Sequence, residues 1–160
     1  QKDIPRFEGW WGHDKENRFA MPDEFIPIPT AEAWQLSNAP ILSMTPLLAS
    51  LELFAEVGMD ELRAKALKLT AYLEQVINDV RTNTGVDLKI ITPSEAHKRG
   101  CQISVVVPSK GKEVFNKLSA NGVIADWREP DVIRLAPVPL YNSFSDVYQF
   151  GQLLEKFLKD

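Results

Sequence analysis

Pro5, Pro22, Pro27, Pro29, Pro40 and Pro46 crowd the first 46 positions, six of the chain's eleven prolines. Proline fixes φ and carries no backbone N–H, so no single regular element survives at that density. Yet the same stretch holds Trp10, Trp11, Phe19, Met21, Phe25, Ile26, Ile28 and Trp34. It is too apolar for a disordered linker. An irregular segment with this much apolar surface needs a surface to lie on. The chain therefore opens with an arm whose order comes from contact, not from periodicity.

From Pro46 the character changes. Thr45 followed by Pro46 predicts a helix start, and Leu47, Leu48, Leu51, Phe54 and Val57 recur at helical spacing up to Gly58. Asp60 caps the next predicted helix. Its seam of Leu62, Ala66, Leu69, Leu73, Val76 and Val80 runs to about Thr84, and Gly85 closes it. Strands are predicted over Val86–Thr92, Cys101–Val107, Val123–Arg128 and Val132–Ala136, with a short helix over Lys110–Asn121. Ser143 with Asp146 forms a capping box before a last helix that carries Val147, Phe150, Leu154, Phe157 and Leu158 on one face. This order predicts an α+β fold: a short, mostly antiparallel sheet with helices on one face, preceded by the irregular Pro/Trp-rich arm.

The totals exclude several classes. A net charge of −4 gives no general attraction to nucleic acid. No apolar run approaches the roughly 20 residues that cross a bilayer, and no leader is visible, so neither a membrane nor a secretory route is expected. One cysteine, Cys101, permits no internal disulfide and fits a reducing compartment. His13, His97 and Cys101 show no metal-ligand spacing, so no metal is expected.

The candidate site residues lie in three runs: Gly9-Trp10-Trp11-Gly12-His13, Ser37-Asn38-Ala39-Pro40 and Arg134-Leu135-Ala136-Pro137-Val138-Pro139-Leu140-Tyr141-Asn142. Each admits a plain reading and a chemical one. Trp10 and Trp11 are either core aromatics or loop aromatics whose indole N–H reaches a ligand oxygen. Asn38 either caps a turn or donates to a ligand. Alternation places Ile133 and Leu135 on one face of a strand and Arg134 on the other. There Arg134 either faces water or forks onto a carboxylate.

Together the three runs resemble the kynureninase family, whose members carry Gly-Trp-aromatic-Gly-His, then Ser-Asn-x-Pro, then Arg-x-Ala-Pro-x-Pro-Leu-Tyr-Asn-Ser-Phe. The resemblance runs over nearly the whole chain. It implies the C-terminal part of a pyridoxal 5'-phosphate (PLP) enzyme of the aminotransferase-like fold, a cytoplasmic homodimer. It implies hydrolysis of L-kynurenine to anthranilate and L-alanine in tryptophan catabolism, a route toward NAD, with L-kynurenine or 3-hydroxykynurenine as the bound substrate. By that likeness Trp10 and Asn38 bind the PLP phosphate of the neighbouring subunit. Trp11 lines the pocket for the substrate ring, Ser37 lies beside Asn38 and the substrate, and Arg134 binds the substrate's α-carboxylate. Residues 1–45 then correspond to the end of the large domain, 46–58 to a connector helix and 59–160 to the small domain. The family's Schiff-base lysine and the aspartate that pairs with the pyridine nitrogen lie upstream of the first motif. Nothing in residues 1–9 supplies both, since Lys2 lacks the context. The chain alone is therefore expected to be inactive, with no catalytic residue of its own. Two other readings stay open: a stand-alone α+β ligand-binding or oligomerisation module, and a related PLP lyase such as a cysteine desulfurase.

Overall fold

The computed structural model describes residues 4–160, and Lys2 lies outside them. The chain divides into two units, Gln1–Glu56 and Val57–Asp160.

Among its described residues the first unit has no sheet, only one bridge between His13 and Pro27. It is built from three single 3-10 turns, Trp10–Gly12, Arg18–Ala20 and Ala31–Trp34, and leads into helix α1, Ile41–Val57. The helix starts five residues before the predicted position. Pro40 serves as its lead-in, with its carbonyl accepting from the N–H groups of Ser43 and Met44. Thr45 is not a cap: its hydroxyl donates to the Ile41 carbonyl 2.8 Å away, one turn back. Pro46 lies inside the helix. No residue of α1 is buried, and Leu42, Leu47, Leu48 and Leu51 are more than half exposed.

The second unit is built on the predicted seam. Helix α2, Met59–Thr84, buries Leu62, Ala66, Leu69, Thr70, Leu73, Val76, Ile77 and Val80. Gly85 ends it in the left-handed region at φ 70°, where a side chain would be strained. The strands are β1 Lys89–Ile90, β2 Ile103–Val106, β3 Asp126–Arg128 and β4 Val132–Leu135. They form one antiparallel sheet in the order β1-β2-β4-β3. All four are shorter than predicted. At β1 the Leu88 N–H turns back to the Val86 carbonyl, so Val86 and Leu88 stay outside the ladder. Cys101 precedes β2 and is half-buried. Helices α3, Gly111–Ala120, and α4, Phe144–Lys159, complete the unit.

Ile103, Val105, Ile133 and Leu135 point from the sheet into a core shared with Leu69, Leu73 and Ile77 of α2, Val114 and Leu118 of α3, and Phe150 and Leu154 of α4. The helices therefore cover one face. On α4, Gly151 lies so close to Val76 that a Cβ there would overlap its side chain. The Ser143–Asp146 capping box forms in both directions. Among the described residues no single helix is long and apolar enough to cross a membrane.

Candidate functional site

In the first unit two glycines decide the local geometry. A Cβ on Gly9 would overlap the backbone of Leu36, and one on Gly12 the backbone of Ala33. Only glycine allows the Trp10–Gly12 turn to lie against the segment 33–36. That segment leads directly into Ser37 and Asn38. The first two motifs, separate in sequence, are thus neighbours within one unit.

Arg18 holds the tryptophan turn from beneath. Its side chain is buried, and Nη2 donates to the carbonyls of Trp11 (3.0 Å) and His13 (3.4 Å). The guanidinium carbon stands 4.5 Å from the Trp11 ring centroid and 6.0 Å from that of Trp10. Carbonyl dipoles and ring faces solvate this buried charge. The Trp10 indole N–H donates to the Arg18 carbonyl at 3.1 Å, and Phe19 meets the Trp10 ring edge-on. Trp10 is half exposed and Trp11 partly buried. His13 is buried. Its Nδ1 accepts from the Ile26 N–H at 3.3 Å, which places the imidazole proton on Nε2, an atom with no partner among the described residues. Ser37 and Asn38 are exposed, and neither side chain makes a hydrogen bond among the described residues.

The donor set of this corner suits the phosphate end of a cofactor unequally. The Asn38 amide is uncommitted. The Trp10 N–H is engaged, and it meets a phosphate oxygen only by leaving the Arg18 carbonyl.

Arg134 lies in the second unit, on the sheet face that the helices leave open, as alternation predicts. Its cross-strand partners are Ser104 on β2 and Asp126 on β3. Nε and Nη2 of Arg134 both bind Oδ2 of Asp126. The rest of the third motif is architecture. Asn142 accepts the Val138 N–H on Oδ1 at 2.8 Å and returns its own N–H to the Val138 carbonyl. Lys65 of α2 donates to the Pro139 carbonyl at 2.6 Å. Pro137 to Asn142 is thus a pinned turn that carries the chain from β4 to the α4 cap.

Two residues of consequence escaped the sequence reading: Arg18 and Asp126. An arginine in a loop beside two tryptophans is a signal for the first. The second is visible only through strand register, because Asp126 and Arg134 face each other across a turn.

Residues 62–154 match the family model described as "Kynureninase C-terminal domain". Among curated proteins the chain is 58% identical over 156 residues to "Kynureninase" of Christiangramia forsetii, covering 98% of this chain and 37% of that protein. It is 53% identical over 154 residues to "Kynureninase" of Flavobacterium johnsoniae, covering 96% and 36%. The chain thus spans little more than a third of the length of these relatives. Among solved structures it is similar to a "NifS-like protein" (TM-score 0.61, 21% identity, 83% of this chain and 39% of that one). It is also similar to a C-DES mutant with glycine covalently linked to its PLP cofactor (TM-score 0.65, 17% identity, 94% and 37%). These two likenesses concern the fold alone.

Proposed function

Since the chain belongs to the kynureninase family, we propose that it supplies the small domain and part of the active site of a PLP-dependent hydrolase. The substrate is L-kynurenine or its 3-hydroxy form, and the products are an anthranilate and L-alanine. The observation that supports this most is the glycine-enabled approach that makes Trp10-Trp11 and Ser37-Asn38 one corner. Two distant motifs with no shared structural purpose in this chain would have no reason to meet.

PLP, when bound, supplies the electron sink for bond cleavage beside the substrate α-carbon. This chain's residues bind and orient. The Asn38 amide donates to the phosphate, joined by Trp10 where its N–H is released from Arg18. Trp11 offers a ring face to the aromatic end of the substrate, and Ser37 lies next to it. Arg134 takes the α-carboxylate. Residues 1–45 correspond to the end of the large domain, 46–58 to the connector and 59–160 to the small domain. The exposed apolar side chains of α1 and the half-exposed Trp10 and Trp34 then face the rest of a homodimeric enzyme.

The test uses a full-length enzyme that carries this segment. It should release anthranilate from kynurenine, followed by fluorescence, while the 160-residue chain mixed with PLP should not. Asn38→Ala should lose activity at limiting PLP and regain it at excess. A full-length enzyme that leaves kynurenine intact, or an Asn38→Ala loss that added PLP does not relieve, overturns the reading.

A further inference from the structure

The open face of the sheet carries a charge cluster in which Arg134 of the third motif meets two residues outside the motifs, Asp126 and Arg128. Asp126 stands between two arginines. Arg134 reaches its Oδ2 through both Nε and Nη2, and Arg128 donates Nε to the same oxygen at 2.9 Å. Ser104, opposite Arg134 on β2, accepts on its hydroxyl from Gln102 at 3.2 Å and brings no charge. Two cations thus share one carboxylate, and the cluster keeps a net positive charge.

A guanidinium offers two edges for a bidentate contact: a side formed by Nε and Nη2, and an end formed by Nη1 and Nη2. Asp126 occupies the side. Nη1 has no partner among the described residues, and a third of the Arg134 side chain is open to solvent. What remains for an incoming carboxylate is the end.

We propose that Asp126 is a positioning residue for the substrate α-carboxylate: by holding one edge of Arg134 it fixes which edge the substrate meets. This rests on the reading of Arg134 as the carboxylate contact. Two effects oppose each other when Asp126 is neutralised. The cluster becomes more positive, which favours an anion, and Arg134 loses its fixed orientation. The charges are partly solvated, so the first effect is screened. Misorientation of a binding fork acts at full strength. Orientation prevails, and neutralising Asp126 weakens carboxylate binding.

The experiment uses the full-length holoenzyme and two competitive ligands that differ only at the α-position, a carboxylate and its carboxamide. Wild type should prefer the carboxylate. Asp126→Asn should lose about tenfold of that preference, the scale of one charge-assisted contact. Its affinity for the carboxamide and its bound-PLP absorbance should stay unchanged, which separates positioning from damage to the fold. Asp126→Glu, which keeps the charge, should restore most of the preference. An undiminished or increased preference in Asp126→Asn overturns the proposal, as does an Asp126→Glu that behaves like Asn. Arg134→Met separates the two layers. If it too leaves the preference intact, the carboxylate assignment itself falls. If it alone abolishes the preference, only the role of Asp126 falls.

Discussion

The two units hold themselves together by different means. In the second, apolar side chains repeat with a helical or strand period, face one another and exclude water: Leu69, Ile103, Leu118 and Ile133 are all at 2% exposure or less. In the first, order comes from single contacts. Gly9 and Gly12 permit backbone to lie on backbone, Arg18 braces the Trp10–Gly12 turn, and the Gly12 carbonyl accepts the Ile28 N–H at 3.0 Å. Trp10 and Trp34 remain half exposed. A unit built on periodicity can present one candidate site residue, Arg134, from a strand. A unit built on loop contacts can gather four, Trp10, Trp11, Ser37 and Asn38, into one corner. In the proposed function the two kinds of unit take different roles: the sheet meets the substrate's carboxylate, and the loops meet the cofactor and the ring.

The sharpest way to break that division is to exchange the two losses. In the full-length enzyme Arg134→Ala should raise the kynurenine KM and leave PLP retention unchanged. Truncating one partner of a buried charge pair costs about 2–5 kcal/mol, roughly 30- to 5,000-fold in kcat/KM, and the partial exposure of Arg134 places it toward the lower end. Arg134→Lys should recover only part, since a point charge cannot reproduce the planar fork. Asn38→Ala should show the reverse pattern. PLP absorbance titration and steady-state kinetics on both variants decide it. An Arg134→Ala that sheds PLP while keeping its KM breaks the division.

A second contrast concerns packing. Leu69→Ala should destabilise the second unit by about 2–5 kcal/mol, through lost burial and the cavity left behind. Leu47→Ala on α1 should change the isolated chain by no more than about 0.5 kcal/mol, as for other exposed positions. Urea unfolding measures both. If Leu47→Ala proves as costly as Leu69→Ala, the exposed surface of α1 is already covered in the isolated chain.

Arg18 tests the first unit by itself. Its charged donors serve two carbonyls, and hydrogen bonds of that kind contribute about 1.5–3 kcal/mol. Arg18→Met should lose about that much local stability and alter the near-ultraviolet circular dichroism of the tryptophans. Arg18→Lys should not restore the signal, because it cannot bridge both carbonyls and stack on Trp11. An unchanged tryptophan spectrum in Arg18→Met removes Arg18 as the brace.

How much of this was legible beforehand follows the same division. The six residues of the α2 seam were legible because Leu62, Ala66, Leu69, Leu73, Val76 and Val80 repeat with one period, and all six are buried; Thr70 and Ile77, which lie beside that line, are buried with them. The side of β4 on which Arg134 lies came from alternation, and the α4 cap from Ser143 and Asp146. At α1 two local signals competed. Thr45-Pro46 reads as a helix start, but Pro40 offers another start six residues earlier, and Thr45 bonds backward. Strand ends were overrun because Val86 and Leu88 have strand composition without a ladder partner. Arg18 and Asp126 stayed hidden for a deeper reason. Each matters through contacts between particular groups, and no periodicity encodes such contacts.

The smallest loss expected of a structural contact lies at the junction of the third motif with α4, where the pinned turn becomes a periodic helix. Ser143 accepts the Asp146 N–H at 3.2 Å, and the Asp146 carboxylate accepts the Ser143 N–H at 2.7 Å. Ser143→Ala should cost about 1 kcal/mol, the usual loss for an N-cap. The Ser143 backbone N–H, then its hydroxyl, hold the Asp146 carboxyl below its ordinary value of 3.8, opposed by slight desolvation and aided by Asn142 and Lys65. A carboxyl depressed in the folded state binds its proton less readily there than in the unfolded chain. Its contribution is therefore complete at pH values above the unfolded pKa. It fades as pH falls through the folded one and is absent in stronger acid. Asp146→Asn should remove this pH-dependence below about pH 4 while leaving neutral-pH stability only slightly lower, because the amide oxygen still accepts the Ser143 N–H. Thermal unfolding of the two chains between pH 2 and pH 7 (about the span that brackets a carboxylate) gives the comparison. Parallel curves across that range would mean that the box closes equally well around a protonated carboxyl, and that the turn, not the charge, starts α4.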